Sequence, residues 1–289
     1  MKKIIIFLAF ILSFNSAIAV DYSSYCPAEK STSSFLGNVG SIIGVNFINR
    51  VILQNRLASA IKKETDSKFD VDIESIFGSS VLSGAFKSLS AKSKSVGYHG
   101  IYMTDFSVQT ACPFNYVSFK DGKLAFPENI VLNYKTSVTQ EDIDKILNSD
   151  LYKNAIKKMN KDGSISSLVN VKSSSIKISD NKLKFKYTLT PFPKAEGLIS
   201  KLTSSIKPIS VSFTTNLRAN NGKLELCNFD VNSKNIGYDA ILPIINKLNP
   251  LSYGMNVGKN NKGTLDVQNV NIKDGRIQMD GVLLISKNE

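Results

Sequence analysis

Between residues 176 and 189 the chain alternates with a period of two. Ile176, Ile178, Leu183, Phe185, Tyr187 and Leu189 interleave with Lys177, Ser179, Lys182, Lys184, Lys186 and Thr188. A strand sends successive side chains to opposite faces, so this segment predicts a sheet with one apolar side and one lysine-rich side. The reversal falls at Asp180-Asn181. Three more segments share the design: Val117–Phe126 about Asp121-Gly122, Leu217–Leu226 about Asn221-Gly222, and Val270–Met279 about Asp274-Gly275. Asp-Gly and Asn-Gly suit two-residue type I′ turns, in which both central residues need positive φ. Each segment therefore predicts neighbouring antiparallel strands, since a parallel crossover needs a far longer connection. Near Cys227 the phase slips, from Leu224 and Leu226 to Phe229 and Val231, which predicts a β-bulge at Cys227-Asn228.

Helical periodicity interrupts the strands. Phe35, Val39, Ile42, Ile43, Leu53, Leu57, Ala60 and Ile61 keep a period near 3.6, while Phe47, Ile48, Val51 and Ile52 add a second apolar side. A helix apolar on more than one side is buried or touches lipid, and both readings stand at this point. It is a poor membrane span, because Asn38, Asn46, Asn49 and Arg50 fall inside the candidate window. A second helix is expected from Thr139, a good N-cap with Glu141 and Asp142 in the first turn. Its stripe runs through Ile143, Ile146, Leu147, Ala155, Ile156 and Met159. A third lies within Tyr238–Leu248, with Ile241, Leu242, Ile244, Ile245 and Leu248 apolar and a stop before Pro250; Pro243 shortens or kinks it. The fold class is α+β: a long, curved antiparallel sheet of hairpins wrapped around about three helices, elongated in shape.

The N-terminus changes where this fold is expected to work. Lys2 and Lys3 precede an apolar run from Ile4 to Leu12, followed by Ser16-Ala17-Ile18-Ala19. That is the grammar of a cleaved secretory signal, residues 1–19, and the run is too short for a membrane span. An uncleaved anchor is the rival. Residues 20–34 are Ser-rich with Pro27 and read as a flexible leader; residues 35–289 read as one domain. The expected location is periplasmic or extracellular, with membrane association open. The formal charge is +12, and all but four of the 36 basic residues are lysine. Arginine is the residue of forked phosphate and base recognition, so the composition speaks against nucleic acid. Diffuse attraction to an anionic membrane through Lys177, Lys182, Lys184 and Lys186 fits, as does a plain solubilising role. Cys26, Cys112 and Cys227 allow three pairings in an oxidising compartment, and without a C-x-x-C they give no support to metal or redox chemistry.

Chemistry is thinly signalled. His99, the single histidine, sits in the turn-like Gly97-Tyr98-His99-Gly100 with no local nucleophile or orienting partner. No G-x-S-x-G, Walker, H-E-x-x-H or EF-hand pattern occurs, so a non-enzyme without metal or cofactor is expected. The sequence is instead rich in apolar surface on strands and helices. Either these faces pack on each other, or the cover is incomplete and leaves a groove for an acyl chain.

Several segments carry a family resemblance. They are Leu57-Ala58-Ser59-Ala60-Ile61, Phe69-Asp70-Val71-Asp72-Ile73, Leu82–Leu89, Asp121-Gly122, Thr139–Ile143, Val267–Ile272, Asp274-Gly275-Arg276-Ile277 and Gly281. In order and spacing, over roughly residues 50–286, the chain resembles the bacterial LmeA-like phospholipid-binding family of secreted proteins. The resemblance implies phospholipid binding connected with envelope assembly and a fold akin to the tubular lipid-binding proteins. An acyl tail is then expected between the apolar sheet face and the helices. The lining candidates are Ile43, Phe47, Ile48, Val51, Ile52, Ile146, Phe185, Tyr187 and Ile245. The alternative is a non-catalytic envelope protein whose partner is protein or glycan.

Overall fold

The structure, a computed structural model, describes residues 21–29, 43–65, 67–74, 84–98, 100–120, 123–161, 169–191, 207–231, 256–257 and 263–287. The signal segment, His99, Ile245 and the helix expected within Tyr238–Leu248 lie outside them. The fold is α+β with large antiparallel sheets. Helix α1 (Ile43–Thr65) leads into β1 (Asp70–Glu74), β2 (Ala85–Phe86), β3 (Ser88–Tyr98) and β4 (Ile101–Thr110). Short β5 (Asn115–Tyr116), β6 (Ser118–Lys120) and β7 (Lys123–Ala125) precede β8 (Ile130–Val138). Helices α2 (Gln140–Asn148) and α3 (Asp150–Lys161) come next. The chain then forms β9 (Val169–Ser179), β10 (Lys182–Pro191), β11 (Ile209–Asn220) and β12 (Lys223–Val231), and ends in β13 (Asn256–Val257), β14 (Gly263–Lys273) and β15 (Arg276–Ile285).

Every pairing is antiparallel, and the four expected hairpins all form. Three of the turns adopt the conformation the sequence implied, and the fourth, Asp121-Gly122, lies outside the described residues. Asp180 and Asn181 have φ 51° and 57°, Asn221 and Gly222 48° and 73°, and Asp274 and Gly275 53° and 68°. For the β6–β7 hairpin, Lys120 faces Lys123 across the turn. The bulge also falls where the phase slips: Asn228 has φ 53°, and the β11–β12 register shifts between Thr214 and Asn216. Thr215 is fully buried there, and its hydroxyl donates to the Cys227 carbonyl at 2.6 Å.

While β2 pairs with β5 and β6 with β7 as two small two-stranded sheets, two large sheets hold most of the strands. One has seven strands in the order β1-β3-β4-β8-β15-β14-β13; the other has four, β12-β11-β10-β9. One core lies between them. It joins Ile176, Leu183, Phe185, Tyr187 and Phe213 of the smaller sheet to Val138, Val267, Ile272 and Ile277 of the larger, with Ile143 of α2. A second core lies under α1, where Leu53 and Leu57 meet Val71, Ile73, Leu89, Leu132 and Tyr134.

The stretch from Thr139 to Lys161 contains two helices where the stripe predicts one. Thr139 caps α2 as expected, in a capping box closed by Asp142. At Ser149, ψ is 153°, which ends the helix; the Ser149 hydroxyl donates to Ile146 O at 2.7 Å and accepts from Tyr152 N–H at 3.3 Å. A serine that serves the end of one helix and the start of the next gives the backbone an alternative to continuing straight. The break lets both helices reach β9, the edge of the smaller sheet. The Gln140 amide donates to Ile176 O and accepts from Ile178 N–H, both at 2.9 Å. The Asn160 amide likewise donates to Val171 O at 3.2 Å and accepts from Val171 N–H at 3.1 Å. Two side-chain amides thus take up backbone groups of β9 where no described strand pairs, and blunt an edge that would otherwise invite pairing.

Candidate functional site

The lysine face forms as the alternation requires. Lys177, Lys182, Lys184 and Lys186 are all exposed, while Ile176, Leu183, Phe185 and Tyr187 are buried behind them. Lys177 and Lys184 are direct cross-strand partners. Like charges placed opposite one another repel, so this arrangement is a local cost rather than a source of stability. Lys186 faces Ser175 and Ser212 on its two sides, and Lys184 faces Thr214. The result is a patch of ammonium groups and hydroxyls able to meet anions.

The expected acyl-lining residues separate into groups. Phe185 and Tyr187 are 0% and 1% exposed and belong to the core between the sheets. The Phe185 ring stacks on Phe213 at 4.9 Å, 5° from parallel, and Tyr187 lies 6.1 Å from both. Ile146 is buried as well, at 4%. A tail could reach these three only by displacing packed protein. Helix α1 differs. Leu53 and Leu57 are buried, Val51 is half-buried, and Ile52 is 46% exposed. Ile43, Phe47 and Ile48 fall on the backbone of α1, with side chains outside the described residues. The helix is pinned by Arg50 pairing with Asp72 of β1 and by the Gln54 amide donating to Asp72 at 2.9 Å.

A polar junction that the pattern of residues did not reveal lies on β14. Asp266 is 8% exposed and accepts from the Tyr22 hydroxyl at 2.5 Å. Burial, then the Asp266 carboxylate, pushes the Tyr22 phenol above the ordinary tyrosine range, so this donor stays protonated. The turn of the smaller sheet also lands here. A Cβ on Gly222 would stand 2.2 Å from Asp266 Oδ1, and Val267 N–H donates to Gly222 O at 2.9 Å. Residues 21–29, the described part of the 20–34 stretch expected as a flexible leader, are held in this place. Cys26 is disulfide-bonded to Cys112, and Tyr22 and Cys26 pack on Val131 and Val282. Tyr116 also donates to Ala28 O at 3.3 Å. Cys227 is the free thiol. Spacing alone gave no preference among the three pairings, because partners 86 residues apart leave no local trace.

Among the described residues, no cluster of three or more His, Cys, Asp or Glu side chains could hold a metal, and no helix is long and apolar enough to cross a membrane. No family model, curated protein or solved structure matches the chain.

Proposed function

We propose that this is an exported protein that binds or carries phospholipid, holding acyl chains beside an apolar sheet and helix while its lysine face meets an anionic membrane, in support of envelope assembly. The observation that carries this reading is the surplus apolar side of α1. Leu53 and Leu57 already bury the helix against the sheet, yet Ile52 remains 46% exposed and Val51 half-buried beside it. Each methylene withdrawn from water there contributes about 0.8 kcal/mol, so a tail lying along this side gains affinity without opening the core. The ordered aromatic stack favours the α1 side over the inter-sheet core as the place for a tail.

The lysines supply the second half of the reading. Their attraction to anionic head groups is screened over about 8 Å at physiological ionic strength, so it serves approach and orientation more than tight binding. Purified protein is to be extracted for lipid and weighed by native mass spectrometry, then titrated with a fluorescent phospholipid. Co-purified lipid, with binding lost in Val51→Asp at an unchanged circular dichroism spectrum, supports the proposal. Lipid-free protein that takes up no probe rejects it.

A further inference from the structure

An open cleft of about 340 Å³ lies on the seven-stranded sheet, and Asp105, Lys135, Asn269, Asn271, Gln278 and Asp280 contribute to its lining. Ile277 and Met279 of β15 belong to the core, so alternation turns Gln278 and Asp280 to the other face. The register aligns their neighbours: Lys135 and Asn269 flank Asp280, and Asn271 pairs with Gln278. We infer that this cleft binds a neutral, hydroxyl-rich oligosaccharide, a site separate from the lipid reading and independent of it.

Four observations lead there. The volume lies at the lower end of small-ligand sites, about 300–1,000 Å³, which suits a sugar or two. The charges cancel locally, in a chain of formal charge +12: Lys135 stands across from Asp280, and Asp105 is paired with Arg276 at 2.8 Å. The local balance therefore selects for an uncharged ligand. Carboxamides both donate and accept, which is also what a sugar hydroxyl does. Three of them line the cleft, and the Asn269 amide is already aimed at Asp280 Oδ1, at 2.8 Å. Asn271, Gln278 and Lys135 have no side-chain partner among the described residues, so their donors and acceptors face water. Finally, two β-bulges flank the cleft. The β4–β8 register shifts between Thr104 and Ser107, with Asp105 at φ 51°, and the β14–β15 register shifts between Val267 and Asn269. Bulges bend strands and re-aim the side chains beside them. Among the described residues no aromatic ring lines the cleft, so hydrogen bonds chiefly orient the ligand and affinity of about millimolar order is expected.

The test is a two-dimensional amide NMR titration of the mature chain with maltotetraose and with chitotetraose. Saturable shifts confined to β4, β8, β14 and β15, reduced at least tenfold in affinity by Asn271→Ala/Gln278→Ala, are expected. Both positions are exposed, and Lys184→Ala on the other sheet is the control that should bind as the parent does. Three outcomes overturn the inference. The first is silence with both sugars. The second is shifts that persist undiminished in the double variant. The third is the same signals moving with calcium chloride or phosphatidylglycerol vesicles and not with sugar, which would assign the cleft to a cation or a lipid head group.

Discussion

The two cores of the seven-stranded sheet are closed in different ways. Between the sheets, Phe185, Tyr187 and Phe213 stack into a continuous aromatic layer, with Phe229 leaning on Phe213 at 5.8 Å. Under α1 the ring contacts include an edge-to-face pair, Phe69 on Phe106 at 6.1 Å, and the lid is helix α1. The rigid rings of the first core, all from the smaller sheet, fill the space against Val138, Ile272 and Ile277 of the larger, so that core has little left to offer a ligand. A helix lid contributes one stripe, and Ile52 on another side of α1 is left 46% exposed.

The largest effect should come from opening the aromatic core. Phe213→Ala removes the ring at the centre of the stack and should destabilise the fold by about 3–5 kcal/mol, read as a lower urea midpoint. A loss below about 1 kcal/mol would mean that the inter-sheet core is soft enough to admit a ligand, and the contrast with α1 would collapse.

Next is the tether on the opposite face. The disulfide between Cys26 and Cys112 closes a long loop, and its removal by Cys112→Ser should cost about 2–5 kcal/mol. Wild-type protein in dithiothreitol should fall to the midpoint of the variant. An unchanged midpoint in both would show that Tyr22 and Asp266 hold residues 21–29 without the bridge. The Tyr22 contact has its own signature. Its folded-state pKa is raised, so its contribution is fully present below about pH 10, the unfolded value, and is lost as pH climbs further.

What could be read ahead of the structure follows the range of the interaction. The turns at Asp180-Asn181, Asn221-Gly222 and Asp274-Gly275 and the bulge at Asn228 depend on residues a few positions apart, and local pattern located them. Pairing of β8 with β4 and β15 joins segments far apart in sequence, and no periodicity encodes which strands meet. This is why one expected sheet is two. The helix break at Ser149 was hidden because an unbroken apolar stripe runs across it; the Ser-Asp step at 149–150 was the available signal. Alternation also labels Phe185 and Tyr187 as inward-facing without saying whether the space beyond them is filled. Here Phe213 fills it, and burial rather than alternation decides their role.

On α1 the expected effect on stability is small and the effect on binding large. Ile52→Asp alters an exposed residue and should change stability by less than about 0.5 kcal/mol, whereas Leu57→Asp buries a charge and should unfold the protein. Fluorescent-phospholipid titration of Ile52→Asp should show clear weakening. Binding equal to the parent's would take the exposed side of α1 out of the lipid site.

A similarly small change in stability, and one with opposite signs in two measurements, is expected on the lysine face. Lys184 lies directly across from Lys177, so Lys184→Glu replaces a repulsion with an attraction. Cross-strand pairs differ by about 0.2–1 kcal/mol, and the variant should be more stable by an amount in that range. The same substitution removes a positive charge from the patch and adds a negative one. Sedimentation with phosphatidylglycerol vesicles at low salt should therefore weaken, and the parent's binding should approach the variant's as salt is raised. A patch that serves only solubility would show the gain in stability with no change in vesicle binding. Loss of vesicle binding in the more stable protein is what a surface kept for an anionic partner would produce.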